Sequence, residues 1–120
     1  MARRKRNNVP TGWSMMWVFC MFDIPVRTKT ETRKATRFRN TLLDFGFVMK
    51  QFSVYIKPCS SLVESKRVAK QIVLFIPENS SVSFLYVTDK QYLMTENFLG
   101  KFLALNEEEE RKETAQLMLF

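Results

Sequence analysis

Histidine is absent from this 120-residue chain, and glycine (three), proline (four) and cysteine (two) are scarce. Each shortage removes a class of protein. Without histidine there is no imidazole to serve as general base. A zinc centre would have to be improvised from carboxylates, because Cys20 and Cys59 follow no metal-ligand spacing. Both cysteines are expected to be reduced, Cys20 as a small buried hydrophobe and Cys59 in a turn, which suits a cytoplasmic protein. With only three glycines and 46% apolar residues, eleven of them Phe, the composition argues for a packed core and against a disordered or fibrous chain. No membrane span is expected: the apolar run "MMWVFCMF" at 15–22 has eight residues, far too few to cross a bilayer as a helix. A secretory leader is not expected either. "ARRKR" precedes that run, but a polar spacer with Pro10 and Gly12 intervenes and no small-residue cleavage site follows.

What the chain does have is positive charge, unevenly placed. The formal net charge is +7, and residues 1–40 hold ten Lys and Arg against two acids. An anionic partner is implied, nucleic acid being the commonest for a small basic domain. The length fits one domain at 13–120, preceded by a flexible basic arm at 1–12 whose Arg3–Arg6 segment is either a DNA-gripping tail or simply disordered.

The run at 15–22 leads straight into Asp23, Ile24 and Pro25. It is short, aromatic-rich and apolar on both alternating faces, which predicts a central strand over 15–23. Thr28 and Glu31 have capping-box spacing and open a helix to Asp44, stopped by Gly46. Ala35, Phe38, Leu42 and Phe45 form its apolar stripe, while Lys29, Arg33, Arg37 and Asn40 lie opposite, as a solvated face or a phosphate-binding one. A second strand is predicted over 47–57, with Pro58 and Cys59 in the following turn. Ser61 and Glu64 repeat the capping-box spacing before a second helix to about Phe75, and "VSFLYV" at 82–87 reads as a third strand, again apolar on both faces. Gln91–Met94 suggests a helical turn, "NFLG" a short extended piece, Glu107–Glu113 a solvated loop or helix turn, and the tail 115–120 an edge strand.

This order predicts an α+β fold, a ferredoxin-like βαββαβ sandwich with an extra C-terminal edge strand. Two helices cover one face of such a sheet. The other, apolar face then needs a second copy, so a sheet-to-sheet homodimer is expected.

"MFDIP" at the end of the first strand, the basic "RKATRFRNTLLDFGF" helix, "QFSVY" in the second strand and "VTDKQY" after the third together resemble the CRISPR-associated Cas2 family, most closely its members found with Cas9-type systems. The resemblance covers 15–57 and 82–92. It implies a homodimeric, double-stranded-DNA-binding component of the spacer-acquisition (adaptation) complex. Such a component bridges subunits of the CRISPR integrase and holds the DNA fragment to be inserted into the repeat array. The family is also classed as a metal-dependent endonuclease, one Asp from each subunit meeting across the dimer axis. In this sequence that residue is Asp23, as ligand of a shared Mg²⁺ and candidate catalytic residue. Arg27, Lys29, Arg33, Lys34 and Arg37 match the basic character of the DNA-facing region.

Two roles for Asp23 stay open from the residues alone. It could accept backbone hydrogen bonds in the strand-to-helix loop, or pair with its symmetry mate around a cation, an arrangement that like charges favour only with metal between them. Two carboxylates and no histidine make a thin catalytic site, so scaffolding ranks ahead of a free-standing Mg²⁺-dependent endonuclease cleaving RNA or DNA. A ferredoxin-fold RNA binder ranks third, since it needs an open sheet face for stacking bases. The 115–120 tail could pair with the integrase by strand addition, or instead within its own sheet or by exchange in the dimer.

Overall fold

The computed structural model describes residues 15–100. The basic arm, the acidic run at 107–113 and the 115–120 edge strand lie outside them. Four strands and three helices follow in the order β1 (Met16–Asp23), α1 (Lys29–Asp44), β2 (Val48–Gln51), β3 (Val54–Cys59), α2 (Leu62–Val73), β4 (Ser81–Thr88) and α3 (Asp89–Leu93). The strands form one antiparallel sheet, β2-β3-β1-β4, which is the ferredoxin-like βαββαβ arrangement followed by a short helix.

The single strand expected at 47–57 is a hairpin. Ser53 takes a left-handed φ of 64° between β2 and β3, and the pairing shifts register between Met49 and Gln51. The break supplies the fourth strand of the fold within the described residues. Pro58 and Cys59, expected in a turn, instead end β3 opposite Trp17 and Met16, and Cys59 is buried. Proline is tolerated there because β2 begins opposite Ile56, so among the described residues Pro58 has no strand on its other side. No strand occurs at "NFLG".

Local chemistry sets the helix ends. Thr28 forms a complete capping box with Glu31. At the other end of α1, Gly46 (φ 92°) donates to the Leu43 carbonyl and Phe47 to that of Leu42, the Schellman pattern that a left-handed residue permits. Ser61 caps α2, but the second box is half made: the Glu64 carboxylate turns to Arg67 rather than back to the cap.

The core lies between one sheet face and the two long helices. Val18, Cys20 and Phe22 from β1 are buried with Phe38 and Leu42 of α1, Val68 and Ile72 of α2, and Phe47, Tyr55 and Cys59. Burial pushes the Cys20 thiol up to about 12, in keeping with its expected role as a hydrophobe. Strand alternation sends Trp17, Phe19, Met21 and Asp23 to the opposite, outer face. That face is not wholly bare, as the two-helix argument required. The third helix lies over one end of it: Tyr92 stacks on Trp17 at 4.1 Å and meets Phe19 edge-on at 6.0 Å. No helix among the described residues is long and apolar enough to cross a membrane.

Candidate functional site

Asp23 is the last residue of the central strand, paired with Ser81 of β4, and its side chain is exposed on the outer face. It does not hold the following loop. Among the described residues its carboxylate accepts no hydrogen bond and makes no ion pair. Glu31 does that work instead, accepting from the backbone N–H groups of Arg27 (3.0 Å) and Thr28 (3.1 Å). The Asp23 carboxylate is thus free to take a cation.

Its neighbours make this end of the outer face polar at one side and apolar at the other. Ser81 and Ser83 of β4 lie beside Asp23 and Met21, while Val54 of β3 pairs with Met21. The expectation that 82–87 is apolar on both faces fails at Ser83, which points outward beside Met21. The β2–β3 turn closes the same end: Phe22 donates to the Ser53 carbonyl at 3.0 Å, and the adjacent Phe52 is 90% exposed. No group of three or more Cys, Asp or Glu that could hold a metal occurs among the described residues. The donor type fits Mg²⁺, a hard cation that takes carboxylate oxygens and keeps several waters.

The basic residues divide three ways. Arg27 forms an i,i+4 ion pair with Glu31 at 3.8 Å, its side chain largely in solvent. Lys29 and Arg33 stand exposed on α1 without an ion-pair partner among the described residues. Lys34 and Arg37 face the connector after α2, where they line a cavity with Phe38, Thr41, Phe75 and Ile76. Lys34 also lines a second cavity beside Ile24 and Pro25, the two residues that follow Asp23. Asp23 belongs to the outer sheet face and these cations to the helical layer, so the fold brings them to one end of the molecule on different surfaces.

A cluster on the outer face escaped the sequence analysis. The Trp17 indole Nε1 donates to Asp89 Oδ1 at 2.8 Å, Tyr92 stacks on the same ring, and Lys50 reaches both the Tyr92 ring (5.6 Å) and Asn97 Oδ1 (3.0 Å). A signal was present: Thr88 and Gln91 have capping-box spacing, and both halves of that box form.

The family model described as CRISPR associated protein Cas2 matches residues 16–95. The chain is 44% identical over 91 residues to the CRISPR-associated endoribonuclease Cas2 of Paracidovorax avenae, covering 76% of this chain and 84% of that one. It is 41% identical over 86 residues to the protein of the same name from Flavobacterium psychrophilum, covering 72% and 75%. Among solved structures it resembles the crystal structure of Streptococcus pyogenes Cas2 at pH 6.5, with a TM-score of 0.52, 19% identity, and 68% and 98% of the two chains covered. A second Cas2 crystal structure matches with the same TM-score and identity over 73% of this chain. At such identity these structures speak for the fold. The sequence match runs from β1, with its terminal Asp23, through the capped helix α3, and the chain belongs to the CRISPR-associated Cas2 family.

Proposed function

We propose that the chain acts as a homodimeric, double-stranded-DNA-binding scaffold in CRISPR spacer acquisition, bridging integrase subunits and holding the fragment to be inserted. The observation that carries this reading is the split between its two surfaces. The outer sheet face offers Met21 and Val54 near an Asp23 that no described residue engages, with exposed Leu85 farther along β4, a surface suited to a second copy. The helical layer offers Lys29, Arg33, Lys34 and Arg37, and with them Arg27, to phosphates. Phosphate contacts of this kind fix position without reading bases, which is what a holder of arbitrary fragments requires.

Asp23 from each copy would hold the Mg²⁺. When bound, the ion polarises a phosphodiester oxygen and lowers the pKa of a bound water. The chain's own contribution is to place the carboxylate at a strand end fixed by β4 on one side and by the Phe22–Ser53 hydrogen bond on the other. The second reading, a Mg²⁺-dependent endonuclease cleaving RNA or DNA, is supported by the name that the curated relatives carry.

One experiment separates the two: fragment insertion by the cognate integrase with wild-type chain or Asp23→Ala. Insertion retained within about twofold supports scaffolding. Insertion lost while the variant remains a folded dimer bound to the integrase would make Asp23 and its metal part of the function.

A further inference from the structure

The cavity between α1 and the connector after α2 has features that simple contact with a phosphate chain does not call for. It has a volume of about 230 Å³. Pockets for drug-sized ligands run to roughly 300–1,000 Å³, so this smaller space suits a single ring system. One wall is cationic: Lys34 and Arg37, a helical turn apart, are exposed and make no ion pair among the described residues. The floor is apolar, with the Phe75 side chain 49% exposed beside Ile76, its ring steadied by an edge contact with Phe45 at 6.1 Å. The far rim is Glu78, an acceptor-only carboxylate held in a short connector that Pro77 and left-handed Asn79 (φ 60°) constrain.

We propose that this groove binds one unpaired nucleotide: its phosphate between Lys34 and Arg37, its base against Phe75 and Ile76, and an exocyclic amine of the base donating to Glu78. A bare anion site would have no use for the exposed aromatic, and an apolar peptide none for the two free cations. Stacking on an aromatic side chain with a cation on the phosphate is the usual way single-stranded nucleotides are held. Lys29 and Arg33 continue the cationic surface along the same helix, so a strand tracking α1 arrives at the groove; this point rests on the nucleic-acid contact proposed above.

Cytidine and uridine monophosphates make the test, because their rings match in size and differ at the amine that Glu78 would accept. Full-length ¹⁵N-labelled protein is titrated with each and with inorganic phosphate, following the amides of Thr41, Phe75, Ile76 and Asn79. The proposal expects saturable shifts with CMP, weaker binding of UMP, and CMP binding at least about fivefold weaker in Phe75→Ala and in the surface variant Lys34→Gln. Equal shifts with phosphate alone, CMP shifts unchanged in both variants, no shifts at all, or shifts produced only by a peptide of residues 107–120 would each overturn it. Blunt-duplex affinity, measured alongside, reports on the α1 contact separately: its loss would leave the CMP result standing.

Discussion

The two faces of the sheet are built from the same strands and meet different fates. On the inner face, Val18, Cys20 and Phe22 are all but sealed beneath α1 and α2. On the outer face, Trp17 and Phe19 lie half-buried under Tyr92, while Leu85 and Val48 stay open to solvent and Asp23 ends the row. The inner face is a finished core. Among the described residues, α3 covers the outer face around Trp17 and Phe19, leaving Leu85 and Val48 open at its edges and Asp23 exposed at the strand end. An exposed apolar row ending in a charge that no described residue partners is a surface suited to a second molecule.

The sharpest way to test that contrast is to damage each face in turn. Phe38→Ala opens the sealed side, where Phe38 packs edge-on against Phe22 at 5.2 Å. A loss of about 3–5 kcal/mol is expected, read as a fall in the urea midpoint. Tyr92→Ala, on the outer face, removes a stacked ring from a partly exposed helix, for an expected loss of about 1–2 kcal/mol. Its more telling effect is faster amide exchange confined to α3 with β1 unchanged. Equal losses from the two variants would erase the distinction between the faces.

The smallest effect belongs to Cys20. Its thiol is raised from 9.0 to about 12 by burial, so the folded chain keeps the proton that the unfolded chain releases. The stabilising difference is complete below pH 9 and shrinks as pH rises from there toward 12, by at most about 1.4 kcal/mol per pH unit. Denaturation midpoints between pH 8 and 10, compared with Cys20→Ala, isolate this slope.

How much of this was visible in the residues depends on how local each signal is. The β1 strand, the Thr28–Glu31 box and the Gly46 stop are written in contiguous residues and formed as expected. The β2–β3 hairpin was hidden because its left-handed residue is Ser53, not the glycine or asparagine that advertises such a turn. Pro58 misled for the opposite reason: its strand is acceptable only because β2 begins where it does, a fact of pairing rather than of sequence. For the site, Asp23 was marked by its position after an apolar run. The distinct settings of Lys34 and Arg37 were not, since their partners Phe75, Ile76 and Glu78 lie more than thirty residues away and meet them only through the packing of α1 beside the connector.

A contact between two copies at the Asp23 end of the outer face can be trapped chemically. Both native cysteines are buried, so Asp23→Cys introduces a thiol with no exposed competitor. Mild oxidation of that variant should join two chains through position 23 in high yield, giving a covalent dimer of the same size as the wild-type species seen by light scattering. A wild-type monomer at micromolar concentration, or a dimer whose position-23 thiols stay free under oxidation, would rule that contact out.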